Sequence, residues 1–348
     1  MTYSDIVAEL LNGTKTTNLN PAKRRYWPRF AFHFTDSDNV IDILKRGSLI
    51  SRAYAEQNGV MANDNASNEV IDQTESEIKK MVRLYFRPRT PTQFYNEGFQ
   101  TKYKRERKPY NANCPVPVFF LFDMVGLLNL PATKFSNRSL ASKNVPLFNT
   151  PEAFNNLPFE QIYHDSSFNG LDYTQKKTIT HHKHAEIVVP DELDLKLLKF
   201  IYVRSIAEKT MLLAELHEVG IFKYDAMIQI GDESTFYMDR NFIQNVSLDS
   251  TKFTLKCSVQ DSYPSDWGHV QYAINPDSVD RYLNVSIKSV TPTGRTVIWP
   301  KPGYKALLNT TMPFILNRPE SSYKLEVRID GHLAYLGEYD QTKDELPF

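Results

Sequence analysis

The last third of the chain restricts the possible fold more than any other part. After Gly220, short runs of β-branched and aromatic residues recur at regular intervals up to Tyr339, and no segment shows the spacing of a long helix. Asp330-Gly331 joins the last two alternating runs, which is a strong signal for a two-residue β-hairpin turn. The pattern predicts an all-β domain of the sandwich class over residues 220–348, with recognition as its task.

Residues 1–219 show a different pattern, in which helical and strand-like segments alternate. Ser4 is the predicted cap of a helix that runs to Leu11, and apolar spacing predicts a second helix from Ala207 to Gly220. Strands are predicted at residues 30–35, 78–86, 116–122, 184–190 and 200–203. A chain of 348 residues suits two domains. The prediction is therefore an α+β domain at 1–219 followed by the all-β domain at 220–348.

Composition excludes several functional classes. The chain has 41 basic and 41 acidic residues, so no global charge attracts nucleic acid or lipid, and binding must use a local patch. It has two cysteines and no C-x-x-C motif, which excludes a disulfide framework and a cysteine zinc site. The absence of an apolar run of 18 residues and of a signal peptide predicts a cytoplasmic protein without a membrane partner.

The stretch His184-Ala185-Glu186-Ile187-Val188-Val189-Pro190 reads as a strand with an acid inside it. A carboxylate in an apolar strand is costly unless it is paired, solvated in a cleft or used in chemistry. Glu186 is therefore either a half-exposed strand residue bonded to a nearby Arg or Lys, or a catalytic group. The polar residues 164–183 before it are predicted to form a loop. The stretch by itself leaves both interpretations open.

The same stretch contains residue types that bind metal ions. His182, His184 and Glu186 would share one face if the strand began early, and these are metal-ligand types. A complete site needs further ligands from elsewhere, and the start of the run is loop-like, so no metal is predicted. Motifs for a serine hydrolase, a P-loop and a dinucleotide-binding Rossmann domain are also missing from the sequence.

Three stretches that precede Glu186 in the sequence contain residues suited to bind an anion. His33 and Thr35 lie on one strand face just before a predicted helix, whose amino end favours a pyrophosphate. Arg89 is flanked by two prolines, which would hold its planar guanidinium for an anion. Residues 102–108 carry five basic residues around Tyr103, and they form either a contact with a phosphate backbone or a solvated loop.

Four blocks, in order, carry a resemblance to a known family. They are His33-Phe34-Thr35 with Asn39 and Gly47, then Tyr85-Phe86-Arg87-Pro88-Arg89-Thr90-Pro91, then Phe135-Ser136-Asn137-Arg138, and last Lys183 to Pro190. Together they resemble the DarT family, ADP-ribosyltransferases that modify bases in DNA and are usually paired with an antitoxin. The resemblance covers about residues 30–215. It departs from the family at Asp36, where a second His is usual, and in residues 51–80.

The resemblance implies a fold of split mixed β-sheets with flanking helices and an NAD-binding cleft between them. Its implied catalytic residues are Glu186 and Arg52. The residues that would bind NAD are His33, Thr35, Asn39, Tyr54, Tyr85 and Arg89. The residues that would contact nucleic acid are Lys104, Arg105, Arg107, His164, His182 and His184. NAD is the implied substrate, without a metal.

The resulting hypothesis is an NAD-dependent ADP-ribosyltransferase that modifies a nucleobase in single-stranded DNA or RNA. Its biological role would be that of a toxin in a toxin–antitoxin or phage-defence system, with an antitoxin protein as partner and an unknown partner or trigger for the all-β domain. Two alternatives remain at this point. One is a degenerate transferase fold that only binds, and the other is a transferase that acts on protein.

Overall fold

The computed structural model describes residues 1–60, 74–100, 112–258, 283–304 and 311–344. The chain divides into two compact units. The first contains Met1–Asn96, Val118–Tyr202 and Ser234–Phe236, and the second contains Glu97–Pro117, Val203–Glu233 and Tyr237–Phe348. No helix among the described residues is both long enough and apolar enough to cross a membrane.

In the described residues the strands are β1 (Phe30–Asp36), β2 (Ser48–Ile50), β3 (Met81–Tyr85), β4 (Pro117–Asp123), β5 (Lys134–Phe135), β6 (Glu186–Pro190), β7 (Glu192–Asp194), β8 (Leu198–Val203), β9 (Ile228–Ile230), β10 (Phe242–Leu248), β11 (Lys252–Ser258), β12 (Leu283–Val290), β13 (Thr296–Tyr304), β14 (Thr311–Ile315), β15 (Ser322–Ile329) and β16 (His332–Asp340). The described helices are α1 (Tyr3–Asn12), α2 (Pro21–Arg24), α3 (Val40–Arg46), α4 (Arg52–Asn58), α5 (Ser76–Lys79), α6 (Pro91–Asn96), α7 (Met124–Leu128), α8 (Pro151–Asn155), α9 (Phe159–Ile162), α10 (Tyr173–His182), α11 (Ile206–Glu218) and α12 (Gln341–Asp344). Short 3₁₀ turns occupy Trp27–Arg29, Ser37–Asn39, Leu195–Leu197 and Asp225–Met227.

The first unit is built on a mixed sheet. Six of its strands run in the order β5-β6-β3-β1-β4-β8, and a separate two-stranded sheet pairs β2 with β7. β3 lies between β1 and β6 and is antiparallel to both. Phe32 on β1 and Phe119 on β4 are buried and meet edge to face. The expected α+β class with split mixed sheets is confirmed.

Two helix starts differ from the predictions. Thr2, not Ser4, caps α1, because its side chain accepts from the Asp5 N–H while the Asp5 carboxylate accepts from the Thr2 N–H. The predicted loop at 164–183 contains α10, which starts from the same kind of capping box between Asp172 and Gln175. No residue of α10 is buried. The helix therefore has no apolar stripe to reveal it in the sequence.

The second unit contains two antiparallel sheets, β10-β11-β14 and β13-β12-β15-β16. Phe253 and Phe314 from the first sheet share one apolar core with Leu325 and Tyr335 from the second, which is the packing of a sandwich. The predicted hairpin turn is confirmed, because Ile329 pairs with His332 and both turn residues have positive φ, 50° at Asp330 and 88° at Gly331.

Some strand predictions in this unit were wrong. Residues 235–238 form turns, and the strand lies later in the sequence, at β10. β10 was missed because only its first two residues are fully buried, so its apolar alternation is weak. The strand predicted at residues 270–274 lies outside the described residues.

The division of the chain into two compact units differs from the predicted domain boundary at 219/220. α11 belongs to the second unit, where Ala207 and Met211 join its apolar core and Ser205 Oγ donates to the Ile243 carbonyl at 2.7 Å. A buried cluster of Arg204 with Glu97 and Glu208 lies in the same unit. The apolar spacing of α11 shows that one face is buried but not which core it meets. The predicted domains at 1–219 and 220–348 stay a prediction.

Candidate active site

A cleft of about 200 Å³ opens in the first unit beside β1 and β3. Five of the residues predicted to bind NAD or to act on it line this cleft: His33, Thr35, Asn39, Arg52 and Tyr85. Two of these side chains are linked, since Asn39 Nδ2 donates to Thr35 Oγ1 at 3.2 Å. The sheet and the turn into α3 thus bring residues far apart in the sequence to one surface.

Glu186 stands next to this cleft, held by an arginine. The pairing of β3 with β6 sets Tyr85 opposite Glu186 and places Arg83 on the same face, two residues before Tyr85. Arg83 binds the carboxylate with two nitrogens: Nε donates to Oε2, and Nη2 donates to Oε1 at 2.8 Å. The Leu140 N–H adds a third hydrogen bond to Oε1 at 3.0 Å.

The exposure of the two partners is unequal. The Glu186 side chain is 1% exposed and that of Arg83 is 28% exposed. Arg83 lines the cleft and Glu186 lies behind it. One of the two interpretations of Glu186 was a half-exposed strand residue bonded to an Arg or Lys; the arginine partner is present, but the carboxylate is buried. β6 is paired on both sides, with β3 and with β5, which buries the first residue of the strand.

Charge and burial act against each other here. Burial tends to lower the pKa of the Arg83 guanidinium, but attraction and hydrogen bonding by Glu186 outweigh it and hold the pKa above its ordinary value. Burial, followed by the Glu186 charge, raises the pKa of the Tyr85 phenol. Both side chains therefore keep their protons at neutral pH, so the cleft presents an arginine cation and a phenol O–H as donors.

The third motif block, Phe135 to Arg138, forms hydrogen bonds with the backbone of Glu186. The Ser136 N–H donates to the Glu186 carbonyl at 2.8 Å, and the Glu186 N–H donates to Ser136 Oγ at 3.1 Å. Ser136 Oγ also donates to the Arg138 carbonyl at 2.7 Å. These bonds fix the backbone of Glu186, so the carboxylate has little freedom of position.

His33 presents one ring nitrogen to the cleft as an acceptor. Its Nδ1 lies 3.1 Å from the Arg83 carbonyl, which can only accept, so Nδ1 carries the proton. Burial holds the pKa of His33 below 6.5, opposed by that same hydrogen bond. The ring is thus neutral at pH 7 and Nε2 is left as an acceptor, suited to a ribose hydroxyl or an amide N–H.

Two of the residues predicted to bind NAD are not part of the cleft lining. Tyr54 is on α4, with 49% of its surface exposed, and neither it nor Arg89 lines the cleft. Arg89 has a left-handed backbone, φ 56°, which its N–H stabilises by donating to Gln93 Oε1 at 2.6 Å. Lys104, Arg105 and Arg107 lie outside the described residues, so their predicted contact stays a prediction.

The three histidines have separate partners. His182 ends α10 and its Nδ1 lies 2.6 Å from the Asn137 carbonyl, while His164 Nε2 lies 3.2 Å from Ser166 Oγ. His184 Nε2 lies 3.3 Å from the hydroxyl of Thr92, a residue of the cleft wall. Within the described residues, no three His, Cys, Asp or Glu side chains are grouped as metal ligands.

His184 provides a pH-dependent prediction. Burial lowers its pKa to about 4, with the nearby Glu186 charge opposing the shift. The unfolded chain takes up this proton near pH 6.5 and the folded chain only near pH 4, so stability falls as pH drops through that window. Between pH 7 and pH 4, we expect the free energy of unfolding to fall on the order of 2 kcal/mol less in His184→Gln than in the wild type. Thermal melts at pH 7, 6, 5 and 4 measure it, and parallel curves for variant and wild type would contradict it.

Sequence reasoning missed Arg83, the partner of the central carboxylate. A signal was present, because Met81, Arg83 and Tyr85 alternate with the buried Val82 and Leu84. That alternation places Arg83 on the face of Tyr85, a residue that had been predicted. The wall also includes Asp42, Arg46 and Thr92, which carry no motif of their own.

Comparisons with known proteins found one family model and several solved structures that are similar to the chain. A family model described as "ssDNA thymidine ADP-ribosyltransferase, DarT" matches residues 32–237. Among solved structures, the chain is similar to Thermus sp. 2.9 DarT in complex with NAD+, at 17% identity and a TM-score of 0.44, over 60% of this chain and 98% of that one. The same protein in complex with ADP-ribosylated ssDNA gives 16% identity, a TM-score of 0.45 and coverage of 60% and 97%.

A further similar structure is Thermosipho africanus DarTG in complex with ADP-ribose, at 16% identity and a TM-score of 0.44. It covers 63% of this chain and 53% of that one. No curated protein sequence matches the chain.

Proposed function

The chain belongs to the DarT family of ADP-ribosyltransferases, and from this premise we propose that it transfers ADP-ribose from NAD to a thymidine base in single-stranded DNA. The observation that carries the proposal is the anchored Glu186–Arg83 pair next to a cleft that contains His33, Thr35 and Asn39. A buried carboxylate beside a cleft of this kind is suited to stabilise positive charge.

The proposed reaction replaces the bond between ribose and nicotinamide with a bond between ribose and the base, and it moves one proton. The glycosidic bond between the ribose C1′ and nicotinamide breaks, and its electron pair leaves with nicotinamide. Positive charge develops on the ribose, and the Glu186 carboxylate stabilises it. A ring nitrogen of the base bonds to C1′ and gives its proton to a base catalyst, for which Glu186 is the candidate.

Arg83 sets a condition for this step. It binds both carboxylate oxygens, so Glu186 reaches the substrate only when one of these hydrogen bonds is exchanged. Arg52 lines the same cleft at the start of α4, where its Nη1 lies 3.6 Å from Glu56 Oε1. We propose that Arg52 assists at the acceptor base. His33 Nε2, Thr35 and Asn39 would hold the ribose and amide of NAD.

The expected acceptor is single-stranded. A base stacked inside a duplex cannot reach a carboxylate that is 1% exposed behind a cleft, whereas an unpaired base can be inserted. The description of the family favours DNA over RNA, and it favours thymidine among the bases.

The test is incubation with NAD labelled in its adenylate half and separate pools of single-stranded DNA, duplex DNA, RNA and protein. We expect label on single-stranded DNA, at thymidine, and at least tenfold less on the duplex. Thymine-free oligonucleotides are the matched control and should take no label. Label on RNA alone or on protein alone would overturn the assignment of DNA as the acceptor, and label on nothing would overturn the transferase proposal.

We also propose that the enzyme acts as a toxin controlled by an antitoxin protein, as the resemblance to the family implies. Expression in a bacterial host should stop growth and leave ADP-ribose on the host DNA, whereas Glu186→Gln should do neither. Coexpression of the antitoxin should restore growth. For the all-β domain we propose recognition of a partner or trigger.

A further inference from the structure

Arg83 has hydrogen-bond donors that the Glu186 carboxylate does not use. Its Nε and Nη2 each donate to one carboxylate oxygen, whereas Nη1 makes no hydrogen bond to any described residue. Nη1 is not buried, and the side chain lines the cleft with 28% of its surface exposed. The outer edge of the guanidinium, which is Nη1 with the second N–H of Nη2, is therefore available to a ligand in the cleft.

The position of this outer edge is fixed from behind. The Leu140 N–H and the two backbone hydrogen bonds with Ser136 hold Glu186. Glu186 in turn binds Arg83 with both carboxylate oxygens. The backbone of Arg83 is bound as well, since its carbonyl accepts from His33 Nδ1 at 3.1 Å. A planar cation that is held in this way loses little freedom when it binds an anion, which favours affinity.

The diphosphate of NAD needs a cation in the cleft. Arg89, the arginine predicted to hold an anion, does not line it. Three other described arginines do, and they are Arg46, Arg52 and Arg83. Arg52 lies 3.6 Å from Glu56 and is proposed to act at the acceptor base, while Arg46 is exposed at the end of α3. Arg83 stands out because a buried carboxylate fixes its guanidinium.

We propose that Arg83 is a binding residue for NAD, and that the outer edge of its guanidinium donates to phosphate oxygens of the diphosphate. The inference rests on the proposed function for NAD as the ligand. Phosphate oxygens supply the acceptors that this edge lacks, and their spacing matches two parallel N–H groups of an arginine. Glu186 would then position Arg83 for the substrate in addition to its proposed action at the ribose.

The same donors could bind a hydroxyl of the nicotinamide ribose or a phosphate of the acceptor strand, and binding measurements separate these ligands. Affinities for ADP, ADP-ribose and adenosine are measured by calorimetry without an acceptor. ADP has the diphosphate without the second ribose, and adenosine has neither. The affinity for a short fluorescent single strand is measured by anisotropy without NAD.

The variants are chosen so that no lone charge is buried. Arg83→Met alone would leave the Glu186 carboxylate without its cation. The comparison is therefore between full-length Glu186→Gln, which retains Arg83, and the double variant Arg83→Met with Glu186→Gln. The two proteins differ only at Arg83. Arg328→Met, which removes an exposed arginine of the second unit, is the charge-matched control.

We expect ADP and ADP-ribose to bind about tenfold more weakly to the double variant than to Glu186→Gln, because charge-assisted hydrogen bonds are lost. Adenosine should bind equally to the two variants, and so should the single strand. Arg328→Met should bind every ligand with the affinity of the wild type.

Equal affinities of the two variants for ADP would overturn the diphosphate assignment, whether or not ADP-ribose binding changes. A loss of strand affinity as large as the loss of ADP affinity would overturn it as well. Thermal melts show whether the double variant is folded. If it is not, Arg83→Lys replaces it, because lysine keeps a charge beside Glu186 without the outer edge, and an ADP affinity equal to that of the wild type would then overturn the proposal. Because no turnover is measured, a failure of the transferase proposal leaves this result readable.

Discussion

Glu186→Gln is expected to reduce the rate of ADP-ribose transfer by about 10²-fold or more. Glutamine keeps the size of the side chain and can still accept the Leu140 N–H, but it carries no charge to stabilise the developing ribose cation. The measurement is single-turnover transfer of label from NAD to a thymine-containing single strand. Single-turnover conditions report the chemical step, so slow product release cannot hide the loss.

The matched control for this variant is Glu192→Gln. Glu192 lies on β7, close in sequence to Glu186, but is exposed. We expect the rate of the wild type from this control, and melting temperatures that show both variants to be folded. A rate for Glu186→Gln within twofold of the wild type would remove the carboxylate from the proposed mechanism.

Arg83→Met is expected to lower the free energy of unfolding by about 2 kcal/mol. The substitution leaves the Glu186 carboxylate buried without its cation, which costs about 3–5 kcal/mol in a fully buried pair. The figure is reduced here because the Arg83 side chain is 28% exposed and water can partly replace it. Urea denaturation, monitored by circular dichroism, measures the change.

A double-mutant cycle tests the cause of this loss. In Arg83→Met combined with Glu186→Met no lone charge is buried, so we expect the double variant to be more stable than Arg83→Met alone. Arg328→Met is the control, since its partner Glu326 is one-third exposed and a surface pair contributes less than about 1 kcal/mol. Additive losses in the cycle would contradict the coupling of Arg83 with Glu186.

Elements that are determined by neighbouring residues could be predicted from the sequence. The Asp330-Gly331 turn requires positive φ at both positions, and these residue types predict it directly. The strand at Glu186 was predicted from its β-branched residues, and β6 begins at that residue. The prediction that His33 and Glu186 belong to one site came from the order of the motif blocks, and it stays a prediction.

The other features of the fold and the site depend on contacts between residues that are far apart in the sequence. The partner of Glu186 follows from the register of β3 against β6, which joins residues 103 positions apart. α10 has no buried face, so hydrophobic spacing could not predict it. α11 has a buried face, but the spacing of its apolar residues does not show which of the two cores covers that face. For this reason the predicted domain boundary and the compact units differ.

The separation of Arg83 from Glu186 has a consequence for synthesis of the protein. Closing a loop of about 100 residues is slow and entropically costly, whereas a two-residue hairpin such as β15–β16 closes quickly. The β3–β6 pairing therefore forms only after the ribosome has released residue 190, and the Glu186 carboxylate acquires its cation late. The site proposed here is thus incomplete in the nascent chain until that pairing has formed.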